Sequence, residues 1–521
     1  MPERRDLVLL LGLTLAATAD AVAGTALSLT RSSMAGIIHA TPDEYAWLDM
    51  GFTAAKMLAF LTVPALAGRI DVHKILVWSL ALAIGAAAIC AASGSLHVIL
   101  IARLIEGLAG GALLVSGQAI AFLHYPRRHQ PIVQAVFALG AVMAPTTFAP
   151  ALEGWIVDAL TWRWVFIATL GIGLLALAMI LAARVAVPMR MARTRVNAAR
   201  FICLGVVLTA LTYVLTLGER WNWLASPEIA FAGAVLLGAL AVYILLQRRV
   251  AMIEISPFRH ADFTFGFIVS FVAGIALSGS AYLIPAFTTS VLGFSPKAAG
   301  FLLLPSGGLI AVGLIGAGCA ILFARVQPFK LVPPGLLFFI VAIWMLSYTS
   351  GSSGTADMML PLLLRGLGLG FLFVALTLIT LLELDDSEVL AGIGLFDFGK
   401  QMGGLLGGAG LQTLVGHKIA LADTILSAHV TAESPALAAR MAGVASSLAA
   451  RGLDPAAAAQ AAYGVIARQL QQQCALIAYG DTFALYALFF VAAAPCIVTI
   501  KILLTRFATR GRQDAAVHPA A

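Results

Sequence analysis

Long apolar segments alternate with short polar ones along the whole chain. Fourteen stretches of about 20 residues or more carry few charged side chains, and each is long enough to cross a hydrocarbon core of about 30 Å as an α-helix. The pattern predicts an all-α membrane protein with fourteen transmembrane spans. Spans one to fourteen cover approximately residues 7–28, 46–67, 75–93, 97–123, 132–157, 164–187, 201–218, 228–246, 263–288, 298–323, 331–349, 358–382, 388–416 and 480–503.

Composition and charge agree with this prediction. The 521 residues are 61% hydrophobic and 11% charged, against about 25% charged in a soluble domain. Twenty lysines and arginines lie on one side of the predicted spans and eight on the other, so the positive-inside rule places both chain ends in the cytoplasm. The excess positive charge therefore reflects membrane topology and does not indicate nucleic-acid binding.

Two polar segments divide the chain. Residues 1–187 are predicted to form a bundle of six spans, and 188–260 a basic linker with two extra spans. Residues 261–503 are predicted to form a second bundle of six, with an outer helical loop at 417–479, and 504–521 a cytoplasmic tail. In the loop, Asp454 followed by Pro455 is typical of a helix start.

Ionisable side chains inside the spans are few. Each costs about 2.5–3.5 kcal/mol or more at the middle of a bilayer unless it is paired or hydrated, so such residues usually face the protein interior or an aqueous cavity. We take them as candidates for proton coupling or for the wall of a substrate cavity. They are Asp20, Asp49, Lys56, Arg103, Glu106, Glu153, Arg365, Asp397 and Lys400.

Two of these pairs have the spacing of neighbours on one helix face. Arg103 and Glu106 are three residues apart, as are Asp397 and Lys400, so each pair is predicted to form an ion pair. Such a pair has two readings that the sequence leaves open: a functional site in a hydrated cavity, or a structural ion pair that fixes how helices pack.

The other candidates differ in depth. Asp20 has no partner within its own span. This favours a role in proton binding, because the pKa of a buried carboxylate changes with its surroundings, such as a nearby arginine. Asp49 and Glu153 lie close to the outer ends of their spans, where water is expected to reach them. Lys56 lies two turns deeper than Asp49 and is less able to extend to water.

Span four and span twelve resemble each other weakly. After Arg103, span four continues with Gly107, Gly110 and Gly111, which predict close approach of a neighbouring helix. Span twelve likewise begins RGLGLGFLFV at Arg365. Sequence similarity between an early and a late span is typical of transporters with duplicated halves.

Other kinds of chemistry lack support in the sequence. All nine histidines fall at span ends, in loops or in the tail, and the five cysteines are scattered without a CxxC. There is no HExxH, Walker A or GxSxG motif. We therefore expect no enzyme activity, no metal site and no cofactor.

Several segments resemble motifs of the major facilitator superfamily, and within it of the fourteen-span drug:proton antiporters. LIARLIEGLAGGAL is similar to that family's arginine motif in span four, with Arg103 as the arginine. PALAGRIDVHK is similar to the loop motif after span two and contains Arg69 and Lys74, with Asp71 at a usual glycine.

The likeness extends over nearly the whole chain. APALEGWIVDALTWRWVFI resembles the antiporter motif of span five, with Pro150 and Gly154 retained and Glu153 at a usual glycine. Asp20 stands at the aspartate of a span-one motif. YLIPAFTTSVLGFSPKAAGFLLLPSG and GIGLFDFGKQMGGLLG resemble signatures of spans nine and thirteen.

The resemblance implies the major facilitator fold, with two six-helix bundles plus two extra spans. It implies a proton-coupled exporter of small amphipathic compounds in a bacterial inner membrane. Asp20 and Glu106 would carry protons or bias recognition of cations, Arg103 would modulate them, and the loop of Arg69, Asp71 and Lys74 would act in gating. A periplasmic adaptor with an outer-membrane duct is a partner of some relatives. Two alternatives stay open: a transporter of one metabolite, and a membrane scaffold or receptor.

Overall fold

The computed structural model describes residues 4–28, 30–184, 197–249, 252–429 and 434–517, without the side chains of 32, 33, 249 and 504–517. These parts of the chain are helical and contain no strand. Residues 188–196 of the predicted basic linker and the last four residues of the predicted tail lie outside the described residues.

Fourteen long helices match the fourteen predicted spans in order, and we number them α1 to α14. They are α1 Arg4–Thr25, α2 Pro42–Ala67, α3 Val72–Ala92, α4 Leu96–His124, α5 Arg127–Ala159, α6 Arg163–Ala183, α7 Ala198–Leu217, α8 Pro227–Arg248, α9 Ala261–Ser290, α10 Pro296–Leu322, α11 Pro328–Leu346, α12 Thr355–Leu381, α13 Val389–His429 and α14 Pro455–Val517.

Thirteen helices in the described residues are long and apolar enough to cross a membrane. The helix outside this set is α13, since its many glycines together with Asp397 and Lys400 lower its hydropathy. Its buried side is nevertheless extensive, running from Val389 to Ala422. It lies against α9 and α2 in the interior of the molecule.

Packing divides the long helices into an N-terminal half, α1–α6, and a C-terminal half, α9–α14. One main hydrophobic core is centred on each half, and each core also includes some residues of the other half. Helices α7 and α8 pack on each other, and α7 also packs on α2, where Leu58 approaches Gly205. This arrangement agrees with the predicted two bundles and two extra spans.

Helix α5 is not a regular α-helix. Its middle, Leu139–Phe148, is a π-helical stretch that contains Pro145, with α-helix on both sides. Gly140 lies in this stretch, and a methyl group there would be only 2.2 Å from the carbonyl oxygen of Thr14 in α1. The distortion thus lies where α1 crosses, and such π-turns often occur at functional sites.

The two halves meet along two seams. In the seam between α2 and α13, a methyl group at Gly394 would lie 2.2 Å from the carbonyl oxygen of Phe60. In the seam between α5 and α10, a methyl group at Gly300 would lie 2.5 Å from the carbonyl oxygen of Pro150. Glycine allows the backbones of opposite halves to touch in both seams.

The predicted outer loop is largely helical and continuous with its neighbours. The Asp454 side chain accepts from the amide of Ala456 at 3.1 Å, and α14 begins at Pro455, as the sequence predicts. Helix α13 continues past the predicted end of span thirteen to His429. Helix α14 begins well before the predicted start of span fourteen and has 63 residues, about 95 Å at 1.5 Å per residue. The alanine-rich stretches at the end of α13 and the start of α14 favour this continuity.

Helix Pro435–Ala449 packs on the first part of α14 and, with the end of α13, completes a helical lobe. We call this end of the molecule the lobe end. The opposite end carries both ends of the described chain, and we call it the terminal end. There His124 of α4 contacts Asp6 of α1, with Nε2 and Oδ1 2.9 Å apart.

Candidate transport site in the membrane interior

Asp20, in the interior of α1, is paired with a residue of another helix. Lys56 Nζ of α2 lies 2.6 Å from Asp20 Oδ2, and both residues are buried. Gly110 of α4 makes room for the carboxylate, because a methyl group at that position would lie 2.1 Å from Asp20 Oδ1. The partner that the sequence left open is therefore a lysine, and three helices meet at this carboxylate.

The predicted ion pair of α4 is present. Arg103 Nη1 lies 2.7 Å from Glu106 Oε2 and also donates to the carbonyl oxygen of Ala23 at 2.8 Å. The guanidinium carbon lies 4.1 Å from the ring centre of Phe52, a cation–π distance. Arg103 is 0% exposed and Glu106 1% exposed, so neither faces lipid.

The glycines that follow Arg103 bring α2 close to α4, as predicted. A methyl group at Gly107 would lie 2.2 Å from the carbonyl oxygen of Phe52, and one at Gly111 would lie 2.5 Å from that of Lys56. The close approach of the two backbones brings Phe52 and Lys56 to the charged residues of α4. The sequence-based search missed Phe52 because it considered only ionisable residues.

Asp20 and Glu106 line one small cavity between α1, α3, α4 and α6, with Thr169 in its wall. Its volume of about 20 Å³ has room for about one water molecule. Asp20 Oδ1 and Glu106 Oε1 are buried without a hydrogen-bond partner among the described residues. Each carboxylate therefore has one oxygen that faces no hydrogen-bond donor among the described residues.

Glu153 is not at a wet boundary, and the expectation that water reaches it is wrong. It is 0% exposed. Its Oε1 accepts from Thr25 Oγ1 at 2.5 Å and its Oε2 from Ser28 Oγ at 3.3 Å. The reason is packing of α5 against the end of α1, which encloses the side chain. Asp49, by contrast, lies at the surface of α2.

Asp397 and Lys400 form the predicted pair in α13, with Lys400 Nζ 2.6 Å from Asp397 Oδ1. They line a cavity of about 20 Å³ at the contact between the halves, opposite Gln118 of α4 and Gln134 of α5. This pair therefore lies at the boundary between the halves, whereas the pair in α4 lies within one half.

Three buried glutamines connect this boundary to the terminal end. Gln118 Nε2 donates to Gln134 Oε1, and Gln134 Nε2 to Gln130 Oε1, each at 3.1 Å. Gln130 Nε2 then donates to backbone carbonyl oxygens, including that of Tyr125 at 2.9 Å. Uncharged polar residues inside or just before predicted spans are the sequence signal that would have identified this chain of hydrogen bonds.

The predicted gating loop is at the surface. Arg69, Asp71 and Lys74 are exposed, and Asp71 Oδ1 accepts from the amide of His73 at 2.7 Å, which caps α3. This loop follows α2 at the terminal end, next to the seam between α2 and α13.

A different arginine connects the two halves at the terminal end. Arg127 donates to the carbonyl oxygens of Leu382 and Leu384 at 2.7 and 3.0 Å and pairs with Asp386 at 3.0 Å. We call these contacts the terminal latch. Sequence reasoning missed it because the partner segment follows α12, more than 250 residues away.

The segment after α12 is also held within its own half. His260 lies 2.9 Å from Glu388, and Lys501 of α14 pairs with Asp262 of α9. Burial, with the neighbouring Asp262 carboxylate, raises the pKa of Glu383 above its usual value. The terminal latch thus joins Arg127 of one half to a segment that the other half fixes.

Pro150 and Gly154, the retained residues of the span-five motif, lie in the seam with α10. A methyl group at Gly154 would lie 2.4 Å from the carbonyl oxygen of Pro296. Arg365 of α12 is buried within the C-terminal half. Within the described residues, no group of three His, Cys, Asp or Glu side chains is placed to hold a metal ion.

Comparisons with known proteins agree with this arrangement. The chain is 26% identical over 407 residues to the multidrug export protein EmrB of Escherichia coli K12, covering 77% of this chain and 78% of that one. It is 23% identical over 474 residues to the fatty acid resistance protein FarB of Neisseria gonorrhoeae, covering 90% of each. It is 25% identical over 404 residues to the tetracenomycin C resistance and export protein of Streptomyces glaucescens, covering 77% and 74%.

Among solved structures, the human organic anion transporter MFSD10 (TETRAN) superposes with a TM-score of 0.55 at 13% identity. The match covers 94% of this chain and 100% of that one, and it shows a shared fold. The sequence profile of the Major Facilitator Superfamily matches residues 9–408. The chain, with its two halves around buried charges, therefore belongs to the Major Facilitator Superfamily.

Proposed function

We propose that the protein is a proton-coupled secondary transporter that exports small amphipathic organic compounds by alternating access. One observation carries the proposal: two buried ion pairs, Asp20 with Lys56 and Arg103 with Glu106, meet at one cavity with room for about one water molecule. Its relatives bear the names of export and resistance proteins, which supports this class of function.

The cluster provides a means of coupling. With both carboxylates charged, the four groups carry no net charge, which favours a closed, dry interior. A proton on Asp20 neutralises the partner of Lys56 and leaves a net positive charge, which favours hydration of the cavity. Protonation and opening are thereby linked, and protons entering the cell drive the substrate out.

The seams provide the moving parts. The halves touch through glycines along α2–α13 and α5–α10 and are joined at the terminal end by Arg127. Alternating access requires that contacts at one end break while those at the other form. In this structure the terminal latch holds the terminal end together.

The proposed orientation places the terminal end, with both chain ends, in the cytoplasm of a bacterium and the lobe outside the inner membrane. The lobe, which rises beyond the spans on α13 and α14, is then the surface available to a periplasmic adaptor protein. The distribution of lysine and arginine supports this orientation.

The test uses purified protein in liposomes with an imposed proton gradient. Efflux of an amphipathic dye and release of protons are measured for wild type, Asp20→Asn and Asp20→Asn/Lys56→Met. We expect wild type to exchange dye for protons. The gradient-driven efflux rate of both variants should be at least about tenfold lower than that of wild type. The double variant controls for misfolding, because it leaves no unpaired charge at this site.

Gradient-driven efflux at the wild-type rate in the folded double variant would contradict the role of Asp20. If wild type itself moves neither dye nor protons over a broad panel of dyes, the function is not transport of this class. The panel also separates polyspecific export from transport of one metabolite.

A further inference from the structure

A second arginine in the membrane interior has no counter-ion in the part of the chain that the structure describes. Arg365 of α12 is 0% exposed. Its Nη1 donates to the Ser306 hydroxyl at 3.5 Å, the long limit for a hydrogen bond, and its Nε and Nη2 have no hydrogen-bond partner there. A buried guanidinium in this condition is unfavourable unless another group compensates its charge.

Arg103 shows what compensation by the protein looks like. Its carboxylate partner, Glu106, stands three residues later on the same helix. Three residues after Arg365 stands Gly368, where a methyl group would lie 2.7 Å from the carbonyl oxygen of Gly335 in α11. The packing of α11 on α12 thus excludes a carboxylate from the corresponding position.

The arginine lies directly behind a seam between the halves. Its neighbour Ser306 belongs to α10, and the next residue, Gly307, faces α5: a methyl group there would lie 2.5 Å from Thr147 Oγ1. Separation of α5 from α10 would therefore open a path to Ser306 and Arg365. An anion that enters between the separated halves would then lie beside the guanidinium of Arg365.

We propose that Arg365 and Ser306 bind the carboxylate head group of an amphipathic substrate during transport. A guanidinium offers parallel N–H donors that match the two oxygens of a carboxylate, and the serine hydroxyl adds a third donor. Leu362 and Leu369 lie on the same face of α12 and are fully buried. They supply apolar surface for the apolar part of the substrate. This inference rests on the proposed transport function and assigns its substrate class.

The test compares three probes that share one apolar body and differ in head group: pyrenebutyrate, its uncharged amide and a trimethylammonium analogue. Binding to the full-length protein in lipid nanodiscs is followed by energy transfer from tryptophan to pyrene. We expect Arg365→Gln to weaken binding of the carboxylate at least about tenfold and that of the amide by less than about twofold. Arg365→Lys should restore part of the carboxylate affinity.

Two controls keep the result interpretable. Arg128→Gln removes an arginine whose residue is exposed and should change none of the three affinities. Ser306→Ala should weaken carboxylate binding about two- to fivefold, as expected for loss of one hydrogen bond, which provides a second variant if Arg365→Gln is unstable.

Equal losses for carboxylate and amide, or an unchanged carboxylate affinity in Arg365→Gln, would overturn the inference. Acetate added in excess distinguishes a general anion site from an amphiphile site: displacement of pyrenebutyrate by millimolar acetate would overturn the assignment to amphipathic substrates. Absence of proton-coupled efflux in wild type would instead count against the proposed function, whatever the binding results.

Discussion

The two halves of the protein differ in the groups that surround their buried arginines. In the N-terminal half, Arg103 lies between Glu106, a backbone carbonyl oxygen and the ring of Phe52. In the C-terminal half, Arg365 is equally buried, but its side chain makes one hydrogen bond among the described residues, a long one to Ser306. Arginines at similar places in two helices of weakly similar sequence thus have different surroundings.

Under the two proposals made above, this difference corresponds to a division of roles. The cluster of two ion pairs in the N-terminal half has no net charge. Binding a proton to one of its carboxylates changes that charge. A lone buried cation responds to an anion that enters from outside. On this interpretation the N-terminal half couples to protons and the C-terminal half recognises the substrate.

The largest expected contrast is in stability. Lys56→Met leaves Asp20 buried without its partner and should lower the free energy of unfolding by about 3–5 kcal/mol. Arg365→Met removes an unpaired charge and should leave stability unchanged or raise it. Thermal unfolding of the two variants in the same detergent measures the contrast, and equal destabilisation would remove the distinction between the halves.

The next effect concerns the packing that forms the cluster. Gly107→Ala places a methyl group against the backbone of Phe52 and should destabilise the protein by about 1–3 kcal/mol with loss of efflux. Gly171→Ala, in α6 of the same half, meets no atom within 4 Å and serves as the matched control. Equal stability of the two variants would show that α2 and α4 do not need this close contact.

A smaller effect is expected at the terminal latch. Arg127→Ala removes contacts from a partly exposed side chain, so the loss is about 1 kcal/mol, or a shift of about fivefold toward opening at the terminal end. Alkylation rates of single cysteines placed along α5 near that end report the opening. Arg128→Ala is the control, and equal rates in both variants would mean that Arg127 does not hold the halves together.

The smallest effect is expected at Glu153. Thr25 and Ser28 hold this carboxyl group through hydrogen bonds, and a glutamine keeps one oxygen acceptor in the same place. Glu153→Gln should retain gradient-driven efflux within about twofold, whereas Asp20→Asn should not. A loss as large as that of Asp20→Asn would extend proton coupling to α5.

The fold was predictable because the bilayer imposes a simple rule on length and polarity. All fourteen apolar stretches correspond to helices, and the pairs at a spacing of three residues, Arg103 with Glu106 and Asp397 with Lys400, are both formed. Such pairs depend only on the geometry of one helix. The glycines of α4 likewise predicted close packing, although not the helix that fills the space.

Partners on different helices could not be read from the sequence. The pairing of Asp20 with Lys56, the enclosure of Glu153 by α1 and the latch at Arg127 all depend on how helices distant along the chain come together. The same holds for the isolation of Arg365, since α11 occupies the space where a counter-ion would stand. Hydrophobicity and helical periodicity act within one segment, so the sequence alone determines which residues are helical and which face they share. Contacts between segments arise from the packing of the whole bundle, and only the tertiary structure decides which buried charges are satisfied.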